Sequence, residues 1–230
     1  LHIHSGDLDG DGDIDIVVAN NGTNYVYFNS IAGSPDIIHG NGAPAQRGNG
    51  TYWRRFPLID ALNFPTDAQY SWSIHLADMD NDGDLDAVVG NNGTNYVYFN
   101  TTSGGIIHGD GTAAQRGNGE TWRRYNLTND QHNTYSIAIG DLDGDLDMDV
   151  AVGNSYSMNA GVPQLDGVNY VYLNTTSGGI IKGNGTAAQR GNGEIWTRYT
   201  VHAQPTNGVD FGNHLTSEVL LGDMDKDGDL

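Results

Sequence analysis

Apolar and polar positions alternate along most of the chain with a period close to two, in runs of five or six residues bounded by Gly and Asn. That is the pattern of half-buried β-strands. β-Branched and aromatic residues fill the apolar places, as in NYVYFN at 24–29 and 95–100 and NYVYLN at 169–174, and such side chains suit a pleated surface. In the best-defined stretch strands are predicted at 71–77, 85–90, 95–100 and 120–127, with NNGTN at 91–95 as a tight hairpin turn. No window carries a sustained apolar stripe at helical spacing, so an all-β chain is expected.

The pattern is written three times and begun a fourth. DLDGDGDID at 7–15 recurs as DMDNDGDLD at 78–86, DLDGDLDMD at 141–149 and DMDKDGDL at 223–230, with starts 71, 63 and 82 residues apart. Each of the first three blocks leads into an apolar run (IVVAN, AVVGN, VAVGN), the tyrosine segment, IIHG or IIKG, AQRGNG and a Trp segment. The repeats divide the chain into units at 1–70, 71–133 and 134–215, the last with a surface-loop insertion at 155–167, and the start of a fourth unit at 216–230. Repeats of this length with four antiparallel strands each are what a β-propeller blade requires. An open stack of small sheets would have to protect its edges some other way. Since closed propellers have about four to eight blades, about three blades and the start of a fourth are expected to belong to a larger propeller or tandem array. A three-bladed ring is the least favoured layout.

Charge adds a chemical constraint. Lys and Arg number 10 against 29 Asp and Glu, a formal net charge of −19, which argues against nucleic acid as a partner. With no Cys, disulfides, Cys-ligated zinc and a thiol nucleophile are excluded. No apolar run approaches the ~20 residues of a membrane-spanning helix, and no membrane insertion is expected.

Nearly all the acidity is Asp, and 19 of the 26 Asp lie in the four recurring blocks. Carboxylates at positions 1, 3, 5 and 9, a turn at position 6 and a carbonyl at position 7 can wrap one hard cation in oxygen. The first loop offers Asp7, Asp9, Asp11 and Asp15 with Asp13 at position 7; the second offers Asp78, Asp80, Asp82 and Asp86 with Asp84. The third has Asp141, Asp143, Asp145 and Asp149 with Asp147, but Leu146 stands where the others have Gly and resists a left-handed backbone. The fourth has Asp223, Asp225, Asp227 and Asp229 and stops before its ninth position. An oxygen-only donor set favours Ca²⁺ over Mg²⁺. Up to four Ca²⁺ ions are expected, and folding should be linked to them. A lone Asp-Gly cluster is commonly a solvated turn, but four phased copies are not well explained that way.

The DxDxDGxxD loop, followed by IVVAN, AVVGN or VAVGN and a tyrosine strand, resembles the FG-GAP/VCBS-type repeat of integrin α-subunit propellers, many secreted bacterial proteins and some fungal propeller lectins. The resemblance spans essentially the whole chain. It implies a propeller with Ca²⁺ in the hairpin between the first two strands of a blade, and an extracellular, secreted or cell-surface setting. Leu146 and the lack of a clear FG…GAP opening point to the VCBS-like branch.

N-x-[ST] sequons at Asn21, Asn49, Asn92, Asn100, Asn126, Asn174 and Asn184 fit either N-glycosylation or Asn-Gly-Thr turn chemistry. The recurring QRGNG, with Arg47, Arg116 and Arg190, precedes Trp53, Trp122 and Trp196. These could form glycan pockets between blades, or the Trp could pack between blades as architecture, which is preferred. His39 and His108 are replaced by Lys182 in the third copy, which speaks against a histidine metal site. No GxSxG, HExxH, GxGxxG or Walker loop occurs. The expectation is therefore a non-enzymatic, Ca²⁺-stabilised extracellular propeller module, a structural or adhesive unit in a tandem array or fibril. Its expected partners are further copies of the repeat, other subunits, glycans or surface proteins. A glycan-binding lectin is the alternative, and the non-catalytic portion of a polysaccharide lyase or hydrolase a third reading.

Overall fold

A computed structural model describes residues 2–9, 14–29, 54–60, 64, 66–81, 83–100, 122–127, 131–155, 157–159, 162–164, 167–174, 196–201, 216–224, 226 and 228. Among these the chain is all-β. Three antiparallel four-stranded blades follow one another along the sequence. The first is β1 (Ile3–Gly6), β2 (Asp15–Val18), β4 (Tyr25–Phe28) and β5 (Arg54–Pro57). The second is β6 (Gln69–Ala77), β7 (Asp86–Gly93), β8 (Tyr96–Asn100) and β9 (Trp122–Asn126). The third is β10 (His132–Gly140), β11 (Asp149–Ser155), β14 (Tyr170–Asn174) and β15 (Trp196–Thr200). Strands expected at 71–77, 85–90, 95–100 and 120–127 are thus β6 to β9, with shifts of a few residues at their ends. The insertion at 155–167 carries a hairpin of its own, β12 (Ser157–Asn159) with β13 (Val162–Gln164).

The first strand of each blade packs beside that of the next, β1 against β6 and β6 against β10. This is the propeller arrangement, in which a blade has a neighbour on each face. The core accordingly lies between blades. Ala87, Val89, Tyr96 and Tyr98 of the second blade face Val17, Val26 and Phe28 of the first. Their alternates Val88, Val97 and Phe99 face Ile137, Val150 and Val152 of the third. Strand alternation therefore feeds two cores, which is why β8 is buried at every position while β4 alternates.

Polar groups bind the seams. The short strand β3 (Asn21–Gly22), in the hairpin of the first blade, pairs with Tyr70 and Gln69 of β6. The corresponding hairpin of the second blade pairs Asn92 and Gly93 with Asn133 and His132 of β10. Beneath each backbone contact runs a buried relay. Asn24 Nδ2 donates to Ser71 Oγ (2.9 Å), which donates to Asn91 Oδ1 (2.6 Å). One blade on, Asn95 Nδ2 donates to Thr134 Oγ1 (2.9 Å) and Thr134 to Asn154 Oδ1 (2.7 Å). Asn169 Nδ2 begins a third relay by donating to Thr216 Oγ1 (2.8 Å). The Val219 N–H donates to Ser136 Oγ as Ile137 N–H does to Ser73 Oγ, so residues 216–219 take the place of a first strand against the third blade.

Candidate metal centres in the aspartate loops

Each of the first three Asp blocks connects the first strand of a blade to its second, and the loop is closed by the same register in all three: Gly6 opposite Asp15, Ala77 opposite Asp86, Gly140 opposite Asp149. This common frame brings three carboxylates of each block together. In Asp7, Asp9 and Asp15, in Asp78, Asp80 and Asp86, and in Asp141, Asp143 and Asp149, one oxygen from each residue lies within 4.8 Å of the others.

The three positions differ in environment. The ninth-position residues Asp15, Asp86 and Asp149 are wholly buried. Each accepts two backbone N–H groups, one within its loop and one from the residue after or at the end of the third strand. Asp15 takes Leu8 (2.9 Å) and Asn29 (2.8 Å), Asp86 takes Met79 (2.8 Å) and Asn100 (2.7 Å), and Asp149 takes Leu142 (2.7 Å) and Asn174 (2.7 Å). The third-position Asp9 and Asp80 are buried too, whereas Asp143 is exposed. The first-position carboxylates accept N–H groups of the turn: Asp78 from Gly83 (2.9 Å), Asp141 from Gly144, Asp145 and Leu146, and Asp223 from Lys226 and Gly228.

The turn needs left-handed backbone at two places, positions four and six. Asn81 and Gly83 have φ of 58° and 96°, Gly144 and Leu146 have 80° and 74°, and Lys226 and Gly228 have 66° and 103°. Leu146 was expected to resist this conformation, but the loop imposes it, and the side chain is left 79% exposed. The requirement at position four was not read from the sequence. A Gly at positions 10 and 144 was its only signal, because Asn and Lys hold the place in the other copies. Asp147, expected to act through its carbonyl, also has a buried carboxylate that accepts Asn81 Nδ2 at 2.7 Å, joining the second and third loops. Asp145 is exposed, and Asp84 is partly buried. Asp11, Asp13, Asp82, Asp225, Asp227 and Asp229 lie outside the described residues.

Three carboxylates at this distance repel one another unless a cation joins them. Burial first, and then Asp143 and Asp145, push Asp149 up to about 6 against the lowering effect of its two N–H donors. Partial desolvation and then the neighbouring Asp145 also raise the exposed Asp143. The donor set is oxygen only, carboxylate-rich and repeated, which suits a hard divalent cation. These clusters are able to hold a metal ion.

The other expected site residues separate by burial. Asn100 and Asn174 are each 2% exposed and spend their side-chain nitrogens on Leu8 and Met79 carbonyls. This corrects the expectation of a glycan there, since the nitrogen that would carry the sugar is sealed inside a seam. Asn21 and Asn92 stand exposed at hairpin turns, and Asn126 is partly buried at the end of β9. Trp122 and Trp196 are 2% and 4% exposed and belong to the two inter-blade cores, so these two rings follow the preferred architectural reading, and the alternative of a glycan contact is corrected for both. Trp53, Arg47, Arg116, Arg190, Asn49 and Asn184 lie outside the described residues.

Antiparallel blades bonded edge to edge, with an Asp cluster at each first turn, define a propeller-type repeat protein. A family profile described as FG-GAP-like repeat matches residues 7–89 and again residues 78–152. These spans take in more than half of the chain, which belongs to the FG-GAP-like repeat family. A search of curated proteins found no match.

Proposed function

We propose that the chain is a non-enzymatic, Ca²⁺-stabilised module of a secreted or cell-surface protein, of the VCBS-like branch of its family, serving as a structural or adhesive unit. The observation that carries the proposal is the threefold recurrence of a carboxylate triplet in one frame. One ion would be held by Asp7, Asp9 and Asp15, one by Asp78, Asp80 and Asp86, and one by Asp141, Asp143 and Asp149. When bound, it supplies positive charge that offsets the packed carboxylates and fixes the first turn of each blade. An extracellular setting fits, because millimolar Ca²⁺ there would keep even modest sites filled. Blades that join through hydrogen-bonded edges suit tandem association with further copies, and the acidity of the chain disfavours nucleic acid.

Calorimetric unfolding in Ca²⁺ and in chelator, with metal content measured on the dialysed protein, tests the reading. The expected result is a midpoint that rises with Ca²⁺ and about three bound ions, one per described triplet. Equal midpoints and no retained metal would overturn it.

A further inference from the structure

At the end of the blades away from the Asp loops, the first strands bulge. Ser71 pairs with Asn91 and Ser73 with Gly90, leaving Trp72 as the extra residue of β6. Thr134 pairs with Asn154 and Ser136 with Gly153, leaving Tyr135 as the extra residue of β10. A bulge re-aims the side chain it inserts, and here both copies carry an aromatic ring. The rings meet across the seam with centroids 5.0 Å apart and planes 8° from parallel. On the other side Trp72 shares the walls of a recess of about 230 Å³ with Tyr70, Ser71 and Asn21. Tyr70 is 55% exposed and Tyr135 40%, so aromatic surface is concentrated where water can reach it.

We propose that this recess is a saccharide subsite taking one pyranose ring of a neutral glycan. A pyranose presents a face of C–H groups, which packs on an aromatic ring, and a rim of hydroxyls, which needs donors and acceptors at the edge. Trp72 and Tyr70 supply the ring surfaces, and Asn21, exposed and in the same wall, has a side-chain amide able to donate and to accept. Trp72 Nε1 is buried without an acceptor among the described residues. Among the described residues no charged side chain is in the wall, and the chain carries a net charge of −19, which selects against acidic sugars. The volume suits a single ring better than a drug-sized ligand. At the next seam Asn92 faces Asn133 where Asn21 faces Tyr70. One aromatic wall is missing there, which makes the first seam the stronger subsite. A one-ring contact is weak alone, and useful affinity would come from several copies acting on one polymer. The subsite is independent of the proposed Ca²⁺ centres and of the buried Trp122 and Trp196.

The test uses the full chain made in a bacterial host, so that Asn21 carries no sugar, in Ca²⁺ buffer. Ligand-observed saturation-transfer NMR is run with methyl glycosides of glucose, galactose, mannose and N-acetylglucosamine, with indole fluorescence as a second readout. At least one glycoside is expected to receive saturation at its ring C–H protons. Its affinity should fall at least about tenfold, or ~1.4 kcal/mol, in Tyr70→Ala, an exposed position whose loss leaves the thermal midpoint unchanged. Trp72→Ala should abolish binding; if that variant does not fold, Tyr70→Ala and Asn21→Ala decide. Silence from all four glycosides, binding indifferent to Tyr70→Ala, or saturable binding of an aromatic peptide probe in place of sugar would each overturn the proposal.

Discussion

The side-chain amide of Asn100, at the end of β8, donates to the backbone carbonyl of Leu8 inside the Asp loop of the preceding blade, at 3.1 Å. Asn174 repeats the contact on Met79, at 3.1 Å, one blade further on. Each loop is thus held from outside by the blade that follows, while the backbone N–H of the same Asn is held by the ninth-position Asp of its own blade.

Asn100→Ala is therefore expected to lower stability by about 1–3 kcal/mol, since it leaves the Leu8 carbonyl buried without its donor. Chemical denaturation at fixed Ca²⁺ measures the loss. In a glycosylating host, peptide mass spectrometry should find sugar at Asn21 or Asn92 in preference to Asn100 and Asn174.

Asp80 and Asp86 belong to one triplet but should fail differently. Asp86 holds two backbone N–H groups whether or not an ion is present, so Asp86→Ala should cost about 2–5 kcal/mol even in chelator, and more in Ca²⁺, where a ligand is lost as well. Asp80→Ala should lower the midpoint in Ca²⁺ and hardly change it in chelator. Equal losses for Asp80→Ala under both conditions would count against Asp80 as a ligand.

Leu146 holds φ at 74° with its side chain in water. The left-handed region costs an L-residue about 1–2 kcal/mol, and Gly returns part of that as unfolded-state entropy. Leu146→Gly should therefore stabilise the protein by a net amount on the order of 1 kcal/mol, read as a higher denaturant midpoint with an unchanged slope. A destabilised variant would show that the Leu side chain contributes packing.

The His75 ring on β6 lies tilted against those of His2, just before β1, and His4 of β1, with ring centroids 4.9 and 5.0 Å away. Burial, and then the charge of either neighbour, lowers His75 from 6.5 to about 4. Between these values the unfolded chain binds a proton that the folded chain refuses, so stability rises with pH across the window. Acidification from 6.5 toward 4 should thus weaken the first seam. Because the carboxylates titrate nearby, the check is the difference between the wild type and His75→Gln at each pH. That difference should change through the window and be flat above it.

The strands, the loop spacing and the repeat were legible because each is local. Alternation in NYVYFN, a carboxylate at every second place and a turn residue at position six all act within about ten neighbouring residues. From them the sequence by itself determined an all-β repeat protein with an acidic loop at the same point in each unit. Only the tertiary structure decided what each copy of a residue type does, because that depends on a neighbouring blade distant in the chain. Asn92 and Asn100 carry similar sequons, yet one is at a turn in water and the other is sealed against Leu8. Trp72 and Trp122 are both indoles, yet one is placed by a bulge beside Tyr135 and an open recess while the other fills a core. The same holds inside the loops, where five alternating Asp look equivalent until packing buries the ninth on two backbone donors. Periodicity reports which face a side chain takes; burial and hydrogen-bond partners come from the surface that face is pressed against.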